Sequence, residues 1–476
     1  MKPTWIRIAC LGSLLAIAIT APTKRLLAEA PSLFIEAYTN ELSYQAGDSV
    51  QLHVSTSAST YDLSIHRIGN EVKPVMATKS ISGSRHPIPE NASSHGCDWP
   101  VSHTFVIPKT WTSGYYEVTL AAKDNGGTFV HRNKRSATTQ LFFVVRSSAP
   151  GKQSSILLQL TTNTYNAYNN WGGSSLYAYH GRAKLQGHRV SFDRPLAGFF
   201  RKWELPFAAW AEKNGYKLDY AVNSDLEHRP EILQHYRLVL SVGHDEYWSA
   251  PMRDHLEAFI ENGGNVAFFS GNSVCWQVRS EDSGRALTCW KQWYNWDPEY
   301  RNTDHRTLST LWSHHLINRP ENTLTGVGFL WGGYHRSHGQ FMDGSGAFTV
   351  HRPEHWIFAG TQLQRGTEFG GQHSIVGYEC DGCEMRWEGG LPYPTHKDGT
   401  PEGFKILATA PAKWHPDDAH WYEPFEKGRV GAAVVGTYQR GGTVVTVGTT
   451  DWSHGLAGGD PVVEQITRNI MDRLAR

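Results

Sequence analysis

The chain has 476 residues, too many for one ordinary core, so at least two domains are expected. Hydrophobic residues make up 39% and charged residues 19%, which favours a globular fold over disorder. Lysine plus arginine equals aspartate plus glutamate, 45 each, so no global field draws the chain to nucleic acid or an anionic membrane.

At the N-terminus Lys2 and Arg7 form a basic region, followed by an apolar run over residues 8–20. That run, of about 13 residues, is short for a bilayer span. Ala28-Glu29-Ala30 then offers a small-residue cleavage site. Residues 1–30 therefore read as a removable signal peptide, which predicts export and no membrane attachment after cleavage. Cys10 leaves with that segment, and Cys97, Cys275, Cys289, Cys380 and Cys383 remain. In an oxidising compartment Cys380 with Cys383, and Cys275 with Cys289, are the candidate disulfides. Zinc at Cys380 and Cys383 would need a second Cys or His pair, and none is evident.

Residues 33–146 show short alternating strands separated by turns. Residues 49–54 and 61–68 alternate with period two, 113–120 add another strand, and 140–145 close the block. About seven such strands fit a β-sandwich of immunoglobulin type. Residues 147–152 read as a linker.

From residue 153 to 476 the pattern changes. Residues 156–160, 238–242 and 265–270 are continuous apolar runs, as expected of buried parallel strands. Helical patterns at 207–214 and 250–262 end in glycine and alternate with them, predicting an α/β/α domain with a parallel sheet. Residues 281–430 are rich in Gly, Trp, His and Pro and read as a β and loop insertion forming a site wall. Residues 442–448 return to a core strand, and 462–474 form a terminal helix.

In open α/β sheets, ligands bind at the carboxyl ends of the strands. Here those ends are loops carrying Tyr165, Tyr168 and Tyr177, then His244 and Glu246, then Asn272. There is no Gly-x-Ser-x-Gly elbow, no phosphate-binding loop and no His-Glu-x-x-His pair. Cys275, although near a strand end, reads as structural.

The stretch Asn163-Thr164-Tyr165-Asn166-Ala167-Tyr168-Asn169, with Gly173-Ser174-Ser175-Leu176-Tyr177 and Gly243-His244-Asp245-Glu246-Tyr247-Trp248, resembles the large (beta) subunit of N,N-dimethylformamidase over residues 155–470. The resemblance implies an amide hydrolase holding one Fe(III) per chain through two tyrosines and a glutamate, carried over to Tyr168, Tyr177 and Glu246. Tyr165 stands as the alternative to Tyr168. The same resemblance makes His244 and Asn272 groups that bind substrate or water, and Glu379 the candidate general base. Phenolate and carboxylate are hard donors suited to a trivalent cation.

The expected partner is a small-molecule amide, with no nucleic acid; a homo-oligomer stays open. Two alternatives stand beside this: an exported protein binding carbohydrate or another polymer, and a hydrolase of another substrate class on the same scaffold.

Overall fold

In a computed structural model the described residues are 33–123, 136–336, 345–415, 422 and 429–476; the expected signal peptide, 1–30, lies outside them. The first strands form two sheets. Ile35–Thr39, Ser49–Thr56 and Val101–Val106 make one, and Ser43–Tyr44, Ser136–Val145, Gly114–Lys123, Thr60–Ile68 and Val72–Ser82 make the other in that order. Period-two alternation points Val50, Leu52 and Val54 inward, where they share one core with Leu63, Ile65, Val118 and Phe143 of the second sheet.

The second sheet is buried on its other face too. Ile68, Tyr115, Phe142 and Val144 belong to the main core of the chain, and Tyr115 stacks on Phe200 with centroids 3.9 Å apart. Residues 141–145 are therefore buried in succession. Ion pairs of Arg67 with Glu212 (2.7 Å) and Arg146 with Asp225 (3.1 Å) close the same contact.

The main sheet is mixed. Asp219–Val222, Ile156–Leu160, Leu238–His244, Asn265–Gly271 and Gly442–Thr446 lie side by side and parallel. Val430–Arg440, Lys405–Lys413, Gly328–Tyr334 and Glu379–Gly382 continue it in antiparallel fashion. The expectation of a parallel sheet is thus corrected. Three strands of the segment read as an inserted wall supply much of the antiparallel half of the same sheet, because they extend an open edge with unpaired backbone groups.

The apolar runs are buried on both faces. Leu238, Leu240, Val242 and Phe269 pack with Phe207 of helix Glu204–Lys213 and with Ile466 and Met471 of helix Pro461–Leu474. Leu157, Val239, Val266 and Phe268 pack with Met252, Leu256 and Ile260 of helix Ala250–Glu261. Both long helices start where their sequences signal it. Ser249 accepts from Met252 N (3.3 Å), and Asp460 from Val462 N (2.9 Å) and Val463 N (3.1 Å), each with proline in the first turn.

Neither expected disulfide is present: all five cysteines in the described residues are buried free thiols. Cys380 and Cys383 are three apart on extended chain, an odd spacing that sends side chains to opposite faces. Accordingly, Cys380 sits in one core and Cys383 in the other. Cys275 and Cys289 are likewise divided between clusters.

Candidate active site

The carboxyl ends of the parallel strands open on a cavity of ≈ 210 Å³ whose wall includes Tyr168, Tyr177, Glu246, Asn272, Lys291 and Glu379. A larger groove of ≈ 790 Å³ lies at the opposite end of the sheet, but its Arg352 is spent on the carbonyls of Ile406 and Pro392. The strand-end cavity is where chemistry-bearing groups converge.

Backbone geometry places them. Gly243 has φ of 83°, and a Cβ there would lie 2.3 Å from Trp203 Cβ, so only glycine lets this strand deliver His244 beneath the Trp203 ring. At the next strand end Asn272 and Val274 both have positive φ, 49° and 55°. Such strain in a β-branched residue persists only when the surroundings impose it. Here the Asp381 carboxylate accepts from Asn272 N (2.8 Å) and Ser273 N (3.0 Å) and holds the turn. Lys291, from beyond a third strand, also has positive φ, 56°.

Residues 162–168, read from sequence as part of a loop, form a short helix, Thr162–Tyr168. Three residues apart on that helix, Tyr165 and Tyr168 go different ways. Tyr165 is fully buried and donates to Glu204, whose other neighbour is Thr161 Oγ1 at 2.9 Å. Tyr168 lines the cavity, its ring 4.3 Å from that of Tyr177.

Burial pushes the Glu204 carboxyl up to about 7 from its ordinary 4.5, with the hydrogen bond from Tyr165 opposing the rise. The folded chain therefore holds a proton there that the unfolded chain has released, so stability falls as pH rises through this window. A shift of that size is worth about 3 kcal/mol. Chemical denaturation of Glu204→Gln across the same window should show a flatter profile than the parent by that order; an unchanged slope would reject the assignment.

Glu246 is the centre of the polar half. Its two oxygens each lie 3.0 Å from the Tyr177 hydroxyl, which donates to them. Trp276 Nε1 donates to Oε1 at 2.7 Å, and the Glu246 N–H donates to Thr164 Oγ1 at 3.0 Å. Tyr247 Oη donates to Tyr177 Oη at 2.7 Å and takes a hydrogen bond from Lys291 Nζ at 2.9 Å. That ammonium also lies 3.4 Å from the centre of the Tyr177 ring and 4.6 Å from that of Trp276.

His244 Nε2 stands between two carboxylates, 2.7 Å from Glu379 Oε2 and 3.3 Å from Glu246 Oε2. Burial disfavours its charge, but Glu379 and Glu246 outweigh burial and hold the imidazole above its usual range. Burial raises Glu246 despite His244 and Lys291, and it depresses Lys291 despite Glu246. Burial, then the Glu246 charge, push Tyr168 and Tyr177 well above the usual phenol range.

Two phenols and a carboxylate thus share one wall, at a place where nothing in the protein alone would ionise the phenols. That donor set fits a hard, highly charged cation. Among the described residues no group of three His, Cys, Asp or Glu side chains could hold a metal, so tyrosine oxygens would have to contribute.

The chain belongs to the family described as N,N-dimethylformamidase beta subunit-like, C-terminal, whose model matches residues 63–467. The match begins within the N-terminal strands, well before the segment whose motifs carry the resemblance. The chain is similar to an N,N-dimethylformamidase beta subunit of Alcaligenes sp, 23% identical over an alignment of 214 residues that covers 38% of this chain and 28% of that one. A second relative of the same description, from Paracoccus aminophilus, is 29% identical over an alignment of 133 residues that covers 25% of this chain and 18% of the other. The chain thus matches less than a third of the length of either relative.

The cavity brings together Tyr168, Tyr177, Glu246, Asn272 and Glu379, with His244 directly behind. Sequence reading missed Lys291, Trp276, Tyr247 and Tyr378 on or beside this wall. Tyr247 adjoins Glu246 and was within reach of a strand-end argument. Lys291 sits in the irregular, tryptophan-rich segment, and no local signal separates it from a surface lysine.

Proposed function

We propose that this protein is an exported metal-dependent hydrolase of amide C–N bonds, with one Fe(III) held by Tyr168, Tyr177 and Glu246. The observation that carries this reading is the Tyr177 hydroxyl shared between both Glu246 oxygens on the wall that also holds Tyr168. The names of the two relatives favour a small amide as substrate. When bound, a ferric ion supplies Lewis acidity toward an amide carbonyl.

The chain's own groups do the rest. Glu379 takes a proton from the attacking water and returns it to the departing amine nitrogen. His244, held between Glu379 and Glu246, keeps both carboxylates in place and offsets their charge. The Asn272 side-chain oxygen is buried without a partner among the described residues and accepts a hydrogen bond from substrate or water. The Lys291 ammonium acts through Tyr247 on Tyr177, lowering the cost of negative charge there.

The testing measurement is elemental analysis with a visible absorption spectrum on the purified chain. About one iron per chain with a tyrosinate charge-transfer band is expected. A metal-free, colourless protein after growth with iron would reject the ligand set and turn attention to a polymer-binding role. Glu379→Gln should keep iron and the band yet lose about 10²- to 10⁴-fold in kcat. Unchanged turnover would remove Glu379 from the mechanism.

We also read residues 33–146 as an immunoglobulin-like β-sandwich and 153–476 as a three-layer α/β/α domain. The core shared by the two N-terminal sheets and the division of the main sheet's apolar residues between two cores support this. Export rests on Lys2, Arg7 and the apolar run after them. Mass spectrometry of the exported chain should place its first residue after Ala30, and a retained Met1 would reject cleavage.

A further inference from the structure

The cavity wall combines polar and apolar groups. Beside Glu246 and Glu379 it includes Leu311, Phe329, Leu330, Tyr334 and Trp414, which form a hydrophobic cluster distinct from the two cores of the main sheet, with Tyr334 the cross-strand partner of Glu379. Three of them are an aromatic group: Phe329 lies 4.4 Å from Trp414 and 5.4 Å from Tyr334, the second contact edge-on. Trp414 Nε1 is turned away to donate to the Phe329 carbonyl at 3.2 Å, so the indole contributes ring surface to this cluster. The cluster comes from the antiparallel half of the sheet and the chain leading into it, whereas the polar groups other than Glu379 and Lys291 come from the parallel strand ends.

A substrate no larger than a dimethylated formamide would leave most of this surface wet. A cavity of ≈ 210 Å³ holds the volume of several waters. Apolar area left beside water gives no binding energy, while each methylene buried there is worth about a fourfold change in affinity. Charge points the same way. The one lysine on the described lining is committed to Tyr247 and two ring faces, beside Glu246, so it is not placed to receive a substrate carboxylate.

We infer that the site takes a neutral amide carrying one compact apolar substituent of cyclic or aryl size, which seats on Leu311, Phe329, Leu330 and Trp414 while the amide group faces Glu246 and Glu379. This rests on the amide-hydrolase reading and specifies its substrate class. It also gives the antiparallel half of the sheet a role in choosing substrate.

The test uses the iron-loaded full chain and two matched pairs whose reacting groups are alike: N-methylformamide against N-cyclohexylformamide, and acetamide against cyclohexanecarboxamide. In at least one pair the ring-bearing amide should have a kcat/KM at least about tenfold higher, with the gain in binding expected from the buried methylenes. Hydrolysis of the small amides with equal or poorer use of both ring-bearing ones overturns the inference and leaves the hydrolase reading standing. Turnover of no amide overturns the hydrolase reading, and this inference with it.

Discussion

Arg194→Met should destabilise the chain by about 3–5 kcal/mol and loosen Tyr168 and Tyr177 together. Arg194 is fully buried, and among the described residues its guanidinium makes no ion pair. Its donors go to five neutral oxygens: Ser191 O (2.9 Å), Trp171 O, Ser174 O (3.3 Å), Asn166 Oδ1 (3.1 Å) and Asn169 O (3.0 Å). Three of the five belong to the segment between Tyr168 and Tyr177 and a fourth to Asn166 on the helix that carries Tyr168, so the loop between the two tyrosines is wrapped around one cation. Burial drives that cation down to about 9, the cost of holding charge on carbonyl dipoles alone.

Methionine would fill part of the space and satisfy none of the acceptors, of which Asn166 Oδ1 and Ser191 O are buried. Lysine would restore charge without the planar fork, so Arg194→Lys should recover only part of the loss. Denaturation midpoints report the stability change, and iron content of the folded fraction reports the tyrosines. A methionine variant as stable as the parent and fully loaded with iron would show that the loop does not depend on this contact.

Tyr177→Phe and Glu246→Gln should each lower iron occupancy at least about tenfold while leaving the fold intact. The phenylalanine keeps the ring against Tyr168 and under Lys291 and removes only the oxygen between Glu246 and Tyr247. Glutamine keeps an oxygen for Trp276 Nε1 and removes the charge that opposes Lys291 and His244. Circular dichroism should match the parent in both variants, and the visible band should weaken in step with iron. Full iron retention by both would sink the proposed ligand set. Loss of fold in both would assign this cluster to stability, in which case milder Tyr168→Phe, on the cavity wall, becomes the deciding variant.

The sequence alone determined the central parallel strands and, to within two residues, where their ends fall. Strands buried on both faces are largely apolar, so residues 156–160, 238–242 and 265–270 announce themselves, and His244 at a strand end with Tyr177, Glu246 and Asn272 in the chain that follows lie where they end. Tertiary structure decided what comes to those ends from elsewhere. Glu379 reaches His244 from an antiparallel strand more than a hundred residues downstream, by a pairing that local periodicity does not encode. Lys291 arrives from an irregular segment and itself has a positive φ. Which of Tyr165 and Tyr168 reaches the cavity was likewise beyond the sequence. Residues three apart on a helix lie on adjoining faces, and only the packing of that helix against Glu204 and the core sends one inward and leaves the other on the cavity wall.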